Sequence, residues 1–222
     1  METVDKFIPY QAQNFSAEES LERLKSYHAY MEQRRSVREY SDQPVSKELI
    51  EEIIMTASSA PSGANKQPWT FCAISNAEMK KKIREAAEIE EHENYNGRMS
   101  DEWLDDLKKF GTNENKPFLE VAPWLIVVFR RIYEEVDGKK ENNYYVTESV
   151  GLASGMLLAA IHQAGLVSLT HTPSPLNFLA KVLERPKNEK PFLLIPVGYP
   201  ADDAQVPDIT RKSAEDVVVY FE

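Results

Sequence analysis

The sequence of 222 residues has very few groups that could crosslink the chain or hold a metal, and it has no long apolar run. Cys72 is the only cysteine, which excludes an intrachain disulfide, a thiolate metal cage and an iron–sulfur cluster. The four histidines lack metal-ligand spacing such as H-E-x-x-H, so we expect no metal site. No stretch reaches about 18 apolar residues, and residues 1–6 are polar without a signal peptide. We therefore expect a soluble, cytoplasmic protein that does not bind membranes.

The charge balance narrows the possible partners. The chain has 26 basic and 36 acidic residues and a formal net charge of -10, which disfavours nucleic acid and anionic membranes as partners. A small anionic cofactor could still bind where basic residues are concentrated. Since 42% of the residues are hydrophobic, the length suits one domain with a sizeable core, covering residues 1–222.

Apolar spacing predicts helices and short buried strands in one core, which is an α+β organisation. A capping box at residues 16–19 predicts the start of the first helix. Further helices are predicted after Ser46, over residues 77 to about 95 and over residues 144–164. Continuous apolar runs predict strands over residues 69–75, 124–129, 166–170 and 192–198.

Three segments lack this regular spacing. Residues 1–15 and 200–222 are predicted to be extended arms, and the second arm ends in the strand-like run 217–220. Residues 96–115 are polar with scattered apolar anchors, which indicates a mobile lid.

The predicted helix over 144–164 is rich in small residues, which suits close packing within the chain or a helix–helix seam between two copies equally well.

A basic cluster at residues 34–38, with the pattern R-R-S-x-R, places three guanidinium groups and a hydroxyl beside a helix end in an acidic protein. Guanidinium groups bind phosphate oxygens in a bidentate manner, so this cluster is a candidate phosphate site. A solvated basic surface has the same pattern. Arg211 and Lys212 lie far along the chain, and they could join the cluster only if the arm folds back or reaches over a second subunit.

A loop of small residues at 60–69, A-P-S-G-A-N-K-Q-P-W, runs directly from a predicted helix into a predicted strand. Such a loop lets backbone N–H groups approach a flat or anionic ligand. An ordinary turn punctuated by proline and glycine is the alternative.

The order of these two motifs, about two dozen residues apart, resembles the nitroreductase superfamily and, within it, the iodotyrosine deiodinases. The similarity extends from about residue 30 to residue 213. It includes the stretches 34–38, 60–64, 68–71, 106–109, 164–167, 196–200 and 206–212. The resemblance implies a central, mostly antiparallel sheet flanked by helices, an intertwined homodimer with extended terminal arms, and FMN at the dimer interface. The implied activity is reductive dehalogenation of halotyrosines.

The resemblance also implies roles for the residues of both motifs. Arg34, Arg35, Ser36 and Arg211 would hold the FMN phosphate. Arg38 would lie near the pyrimidine edge of the flavin or support it. The residues implied to line the isoalloxazine ring are Pro61, Ser62 and Gly63.

A threonine near the third predicted strand is implied to hydrogen-bond flavin N5. Thr172, which precedes a proline, is the preferred candidate. This chain has His171 where the animal members have another threonine, so Thr170 remains the alternative. The backbone N–H of Ala64 is implied to hold the phenolate oxygen of the substrate above the reduced flavin.

Glu91 and Tyr95 are four residues apart on a predicted helix and share a face, and Lys116 follows the lid. A zwitterionic amino acid needs an anion for its ammonium group and a cation for its carboxylate. The resemblance implies that Glu91 and Lys116 supply them and that Tyr95 adds a hydroxyl donor. A solvated helix face is the alternative for residues 88–93, and Glu90 replaces Glu91 if the helix register differs by one.

Three other functions fit parts of the sequence. A broad-specificity NAD(P)H-dependent nitroreductase or quinone reductase would need FMN but not the three clamp residues. A non-catalytic flavin-binding module and an acidic scaffold without cofactor are the other two. The sequence has no G-x-G-x-x-G fingerprint for a pyridine nucleotide, and the electron donor stays unknown at this stage.

Overall fold

The structure is a computed structural model that describes residues 7–222. The first part of the predicted N-terminal arm, residues 1–6, lies outside the described residues. Residues 7–16 have no regular secondary structure. The chain divides into an N-terminal unit that ends at Arg34 and a main unit over residues 35–222.

The N-terminal unit contains helix α1 (Ala17–Glu32), which begins where the capping box predicts. The Ser16 hydroxyl accepts a hydrogen bond from the backbone N–H of Glu19 at 3.1 Å. The apolar residues of α1 are not buried, since Leu21 and Leu24 are exposed by 55% and 61%.

The main unit mixes helices and strands, as the sequence predicts. In chain order its elements are α2 (Lys47–Ser58), β1 (Trp69–Ile74), α3 (Ala77–Glu93), α4 (Asp101–Lys108), α5 (Phe118–Val121), β2 (Trp124–Arg131), β3 (Tyr133–Val136), β4 (Lys139–Asn142), α6 (Val146–Gln163), β5 (Val167–Ser168), α7 (Phe178–Val182), β6 (Glu189–Gly198) and α8 (Ala214–Val217). A π-helical turn, Asn94–Arg98, follows α3 directly. No helix among the described residues combines the length and apolar character that crossing a bilayer requires.

Four strands form the central sheet in the order β1-β2-β6-β5, and every neighbouring pair is antiparallel. This confirms the predicted α+β fold with an antiparallel sheet. A separate hairpin of β3 and β4 turns at Asp137 and Gly138, which both have positive φ angles of 50° and 74°. Two consecutive positive φ angles define a turn whose twist suits a two-residue hairpin.

Helices cover both faces of the sheet. The side chains of a strand alternate between its two faces, and the central strand β2 has apolar side chains on both. On β2, Ile126 and Val128 point to the face that α2 and α6 cover. Leu125, Val127 and Phe129 point to the other face, which α3, α5 and α7 cover. All five side chains are fully buried, so β2 is the centre of the core.

Two segments differ from their sequence pattern. The strand-like run 217–220 forms no regular strand, and a short helix starts after Ser213, whose side chain forms a capping box with Asp216. Val218 and Tyr220 are exposed. An apolar run forms a strand only where a neighbouring strand can pair with it. The predicted strand over 166–170 shortens to two residues, since beyond Ser168 the chain leaves the sheet and keeps one bridge, from His171 to Leu194.

Candidate functional site

A cavity of about 170 Å³ opens beside the C-terminal end of α3. Its walls come from α3 and the turn after it, from the predicted lid, from the start of α5, from the segment after β5 and from the basic cluster. The lining residues are Arg38, Glu91, Tyr95, Met99, Trp103, Leu107, Thr112, Lys116, Phe118, Leu169, Thr170, His171 and Thr172. The cavity is smaller than the roughly 300–1,000 Å³ of typical drug-sized ligand pockets, so its volume suits a small molecule.

Helix α3 positions Glu91 by continuing its buried face. Ile83 and Ala87 pack in the core, and Glu91 lies one turn further along the same face, with 6% exposure. Glu90 points elsewhere, and its Oε2 lies 2.6 Å from Arg98 Nη1. The register of the helix therefore places Glu91, and not Glu90, in the cavity.

Lys116 is only 3% exposed and faces Glu91 across the cavity. Its Nζ lies 3.7 Å from Glu91 Oε2 and 5.5 Å from the centre of the Tyr95 ring. The same ammonium group donates to Thr112 Oγ1 at 3.1 Å and to the carbonyl of Asn113. The three predicted clamp residues thus meet in one cavity, where the ammonium group is held by its neighbours.

Burial shifts the ionisation of these groups in opposite directions. It raises the pKa of Glu91, although the charge of Lys116 opposes the shift. It lowers the pKa of Lys116, with Glu91 opposing and Arg38 reinforcing the shift. Burial also raises the pKa of Tyr95 and lowers that of Arg38. Each buried charge depends on its partner, so a ligand that carries both signs of charge can replace both partners at once.

His171 is a site residue that the sequence analysis did not assign to the site. Its side chain is 8% exposed, and Nε2 lies 3.8 Å from Glu91 Oε1. Its ring meets the Phe118 ring edge-on, with 5.7 Å between the centroids. Burial, with the positive charges of Lys116 and Arg38, lowers the pKa of His171 to about 3, so the imidazole is neutral. The only sequence signal for this residue is a histidine between two threonines at a strand end.

Ser36 and Val37 of the basic cluster, and Tyr40 after it, contact strands β5 and β6. The N–H of Val37 donates to the carbonyl of Ser168 at 3.1 Å, and Ser36 forms a parallel bridge with the same residue. The Tyr40 hydroxyl donates to the carbonyls of Val37 and Pro196 at 3.0 and 3.2 Å. These contacts hold residues 35–38 of the cluster at the edge of the sheet, next to the cavity that Arg38 lines.

The C-terminal arm folds back on the basic cluster of its own chain. The guanidinium group of Arg35 donates to the carbonyl of Pro207, four residues before Arg211. The N–H of Gln205 donates to Glu39 Oε2 at 2.6 Å. The arm therefore folds back on its own chain as far as Pro207. Folding back is one of the two ways in which Arg211 could join the basic cluster. Arg34 ends the N-terminal unit, where its N–H donates to the carbonyl of Met31 at 3.2 Å.

The small-residue loop does not line the cavity of its own chain. Ala64 is exposed and has a φ angle of 49° within the short 3₁₀ turn Gly63–Asn65. The Ser62 hydroxyl accepts from the N–H of Gln67 at 2.9 Å. A Cβ at Gly63 would lie 2.9 Å from Tyr145 Cδ2 and 3.0 Å from the carbonyl oxygen of Tyr144, so a larger residue would have to displace its neighbours. Pro61, Ser62, Gly63 and Ala64 therefore form a surface apart from the clamp residues.

The chemistry of these residues fits FMN. Arg35 and Ser36 offer a guanidinium group and a hydroxyl for a phosphate, in a chain with an acidic net charge. Thr170 and Thr172 line the cavity and offer hydroxyls to a flavin ring edge. Phe118, Trp103 and the other apolar lining residues suit an aromatic ligand.

Known proteins with similar sequences identify the family of the chain. The model of the nitroreductase family matches residues 31–199. An iodotyrosine deiodinase from Haliscomenobacter hydrossis is 61% identical over 97% of this chain and 97% of its own length. The iodotyrosine deiodinase of Danio rerio is 46% identical, over 99% of this chain and 76% of its own length. Iodotyrosine deiodinase 1 of Homo sapiens is 42% identical, over 96% and 74%.

Solved structures of this family have a similar fold. A crystal structure of oxidized iodotyrosine deiodinase bound to FMN and 3-iodo-L-tyrosine matches with a TM-score of 0.75 and 30% identity, over 88% of this chain and 98% of that one. A BluB-like flavoprotein from Clostridium difficile matches with a TM-score of 0.68 at 23% identity, which concerns the fold alone. With a family model that covers most of its length and relatives that align over almost all of it, the chain belongs to the nitroreductase family.

Proposed function

We propose that this protein is an FMN-dependent iodotyrosine deiodinase, which converts iodotyrosine to tyrosine and iodide. The observation that carries the proposal is the buried pair of Glu91 and Lys116 in one small cavity. Its relatives include proteins named for this activity, and one solved relative binds both FMN and 3-iodo-L-tyrosine. A general nitroreductase has no need for a buried carboxylate and ammonium group in this position.

The reaction breaks a carbon–iodine bond and forms a carbon–hydrogen bond, which takes two electrons and one proton. FMN supplies the electrons when it is bound. Arg35 and Ser36, with Arg34 and Arg211, would hold its phosphate, and the Thr172 hydroxyl would donate to N5 of the flavin ring. The chain itself binds and orients the amino acid, and it excludes water.

The Glu91–Lys116 pair binds a zwitterion by exchanging partners. In the free protein the two charges face each other at 3.7 Å. When the ligand enters, Glu91 takes its ammonium group and Lys116 takes its carboxylate, so that no buried charge loses its counter-charge. A ligand with only one of these charges would leave one side chain unpaired, at a cost of several kcal/mol in the limit of full burial. Tyr95 lies beside Lys116 and adds a hydroxyl donor.

The predicted lid, residues 96–115, carries helix α4 and supplies one wall of the cavity. Met99, Trp103 and Leu107 line it from this segment, which offers an apolar surface to an aromatic ring. Thr112, which belongs to the lid, accepts a hydrogen bond from the Lys116 ammonium group. Since Lys116 holds the ligand carboxylate in this proposal, ligand binding and lid closure are coupled, and closure removes water from the reacting carbon.

A second copy of the chain would supply the remaining site residues. Ala64 lies outside the cavity of its own chain, yet its backbone N–H is proposed to hold the phenolate oxygen. On the outer face of α6, a Cβ added at Gly151 or Gly155 would meet, apart from its chain neighbours and the adjacent backbone of the helix, no atom of the described residues within 4 Å, and Leu152 is 54% exposed. This face suits close helix–helix packing in a homodimer. A monomeric mass in sedimentation equilibrium would contradict the proposed assembly.

An anaerobic single-turnover experiment tests the activity. The FMN-loaded protein is reduced with dithionite, 3-iodotyrosine is added, and flavin reoxidation and iodide release are followed together. We expect one iodide for each flavin that is reoxidised. Reoxidation by nitroaromatics but not by iodotyrosine would identify a broad nitroreductase instead, and a flavin that neither ligand reoxidises would identify a non-catalytic binding module.

The affinity for 3-iodotyrosine should fall on acidification, because Glu91 must be ionised to bind the ammonium group. Burial raises the pKa of Glu91, so protonation and loss of binding begin at a higher pH than for an exposed glutamate, whose pKa is about 4.3. The measurement is a fluorescence titration over a pH series, for the unaltered protein and for Glu91→Gln, which has no ionisable carboxyl group at this position. The ligand is the same in both series, so the ratio of the two affinities isolates Glu91. A ratio that stays constant as the pH falls would contradict this role.

A further inference from the structure

One buried nitrogen in the cavity lacks a partner among the described residues. His171 Nε2 is buried and makes no hydrogen bond. It points towards Oε1 of Glu91 at 3.8 Å, which is beyond hydrogen-bond length. Buried polar atoms in folded proteins are nearly always paired, and an unpaired one lowers stability. An unpaired nitrogen at this position suits a partner that arrives in another state of the site.

The imidazole cannot remove this cost by taking up a proton. Its neighbours in the cavity include the two cations Lys116 and Arg38 and the carboxylate of Glu91. Burial and the two cations keep its pKa at about 3, so at neutral pH it has one N–H and one lone pair. A neutral N–H donor directed at a carboxylate oxygen can bind it without adding a charge to the site.

We infer that His171 is a positioning residue for Glu91, whose carboxylate it holds through an Nε2–H···Oε1 hydrogen bond when an amino acid is bound. The inference depends on the proposed zwitterion clamp. In the free protein Oε2 of Glu91 is attracted to Lys116 at 3.7 Å. Once the ligand carboxylate pairs with Lys116, the attraction of Lys116 no longer fixes the position of Oε2. A movement of about 1 Å then brings Oε1 to hydrogen-bond distance from His171.

The imidazole is held rigidly enough for this task. The backbone of His171 exchanges two hydrogen bonds with Leu194 on β6, at 2.8 and 3.2 Å. The ring packs edge-on against Phe118, with an interplanar angle of 88°. A donor fixed by the sheet and by a core aromatic ring orients the carboxylate at little entropic cost.

Two variants test the inference in the FMN-loaded protein. His171→Met keeps the volume and removes the donor, whereas His171→Gln places an amide N–H near the position of Nε2. Fluorescence titration with 3-iodotyrosine should show an affinity loss of about tenfold for His171→Met, or about 1.4 kcal/mol. His171→Gln should recover most of this loss. 3-Iodotyramine, which lacks the carboxylate, should bind His171→Met and the unaltered protein equally, since it leaves Oε2 of Glu91 paired with Lys116.

Further measurements separate a positioning role from a structural one. The thermal midpoint of ligand-free His171→Met should not fall, because the replaced nitrogen has no partner in that state. A lower midpoint, a similar loss for both ligands, a change in FMN affinity or a failure of His171→Gln to recover binding would each overturn the inference. The clamp fails separately, if the unaltered protein binds 3-iodotyrosine no better than its analogue without the amino group.

Discussion

Lys116→Met and Glu91→Gln each weaken binding of 3-iodotyrosine to the FMN-loaded protein by about tenfold to a hundredfold, since each removes a charge-assisted contact of roughly 1.5–3 kcal/mol. FMN affinity should change far less, because neither side chain belongs to the proposed phosphate site. Fluorescence titration with the ligand, and with FMN for the apoprotein, measures the two effects. Equal losses for ligand and cofactor would contradict the clamp.

The double variant Lys116→Met/Glu91→Gln separates binding from folding. The side chains of the pair are 4% and 8% exposed, so each single variant leaves an uncompensated buried charge. Removing one partner of a buried pair typically costs about 3–5 kcal/mol of stability. The double variant removes both charges and should recover much of this stability, as urea unfolding would show, yet it should bind 3-iodotyrosine no better than the single variants. Recovered binding would mean that the pair acts on stability alone.

The core elements could be predicted because their apolar spacing is set by burial. Ile50, Ile53 and Ala57 recur at helical spacing and pack against α6. The run Trp124–Phe129 is apolar on both faces because helices cover both faces of β2. Such patterns are local, so the sequence alone predicts them.

Elements with weak or exposed patterns could not be predicted. The hairpin of β3 and β4 is exposed over most of its length and shows no alternation, so only its Asp137–Gly138 turn could be predicted. Helix α4 contains no buried residue, and its sequence indicated only a polar segment with scattered anchors. In these segments the sequence carries too little apolar periodicity to predict a regular element.

The residues of the site also differ in how far the sequence alone predicts their positions. The pattern around Glu91 indicates a charged, solvated face, yet the residue is in phase with Ile83 and Ala87 at intervals of four, and this spacing places it in the interior. The contact of Glu91 with His171 joins residues 80 positions apart, so no local pattern encodes it. The family resemblance gave the clamp residues, whereas the neutral imidazole behind the carboxylate required the three-dimensional structure.

Arg35→Ala should weaken FMN binding by about tenfold or more, because a guanidinium–phosphate pair is among the stronger hydrogen-bonded contacts. Arg35→Lys should recover only part of the loss, since an ammonium group cannot make the bidentate contact. Lys81→Ala removes one positive charge from an exposed site on α3 and serves as the control, with unchanged FMN affinity. FMN fluorescence titration of the apoproteins measures all four affinities, including that of the unaltered protein.

Riboflavin distinguishes a phosphate contact from an indirect effect through the arm. Arg35 also holds the carbonyl of Pro207, so its loss frees the segment that leads to Arg211. If Arg35 binds the phosphate, Arg35→Ala weakens FMN but leaves riboflavin binding unchanged, and the FMN affinity of the variant becomes less sensitive to salt. If the guanidinium group only anchors the arm at the flavin ring, both flavins lose affinity equally. Equal losses would therefore assign Arg35 to the arm and leave the phosphate to the other basic residues of the cluster.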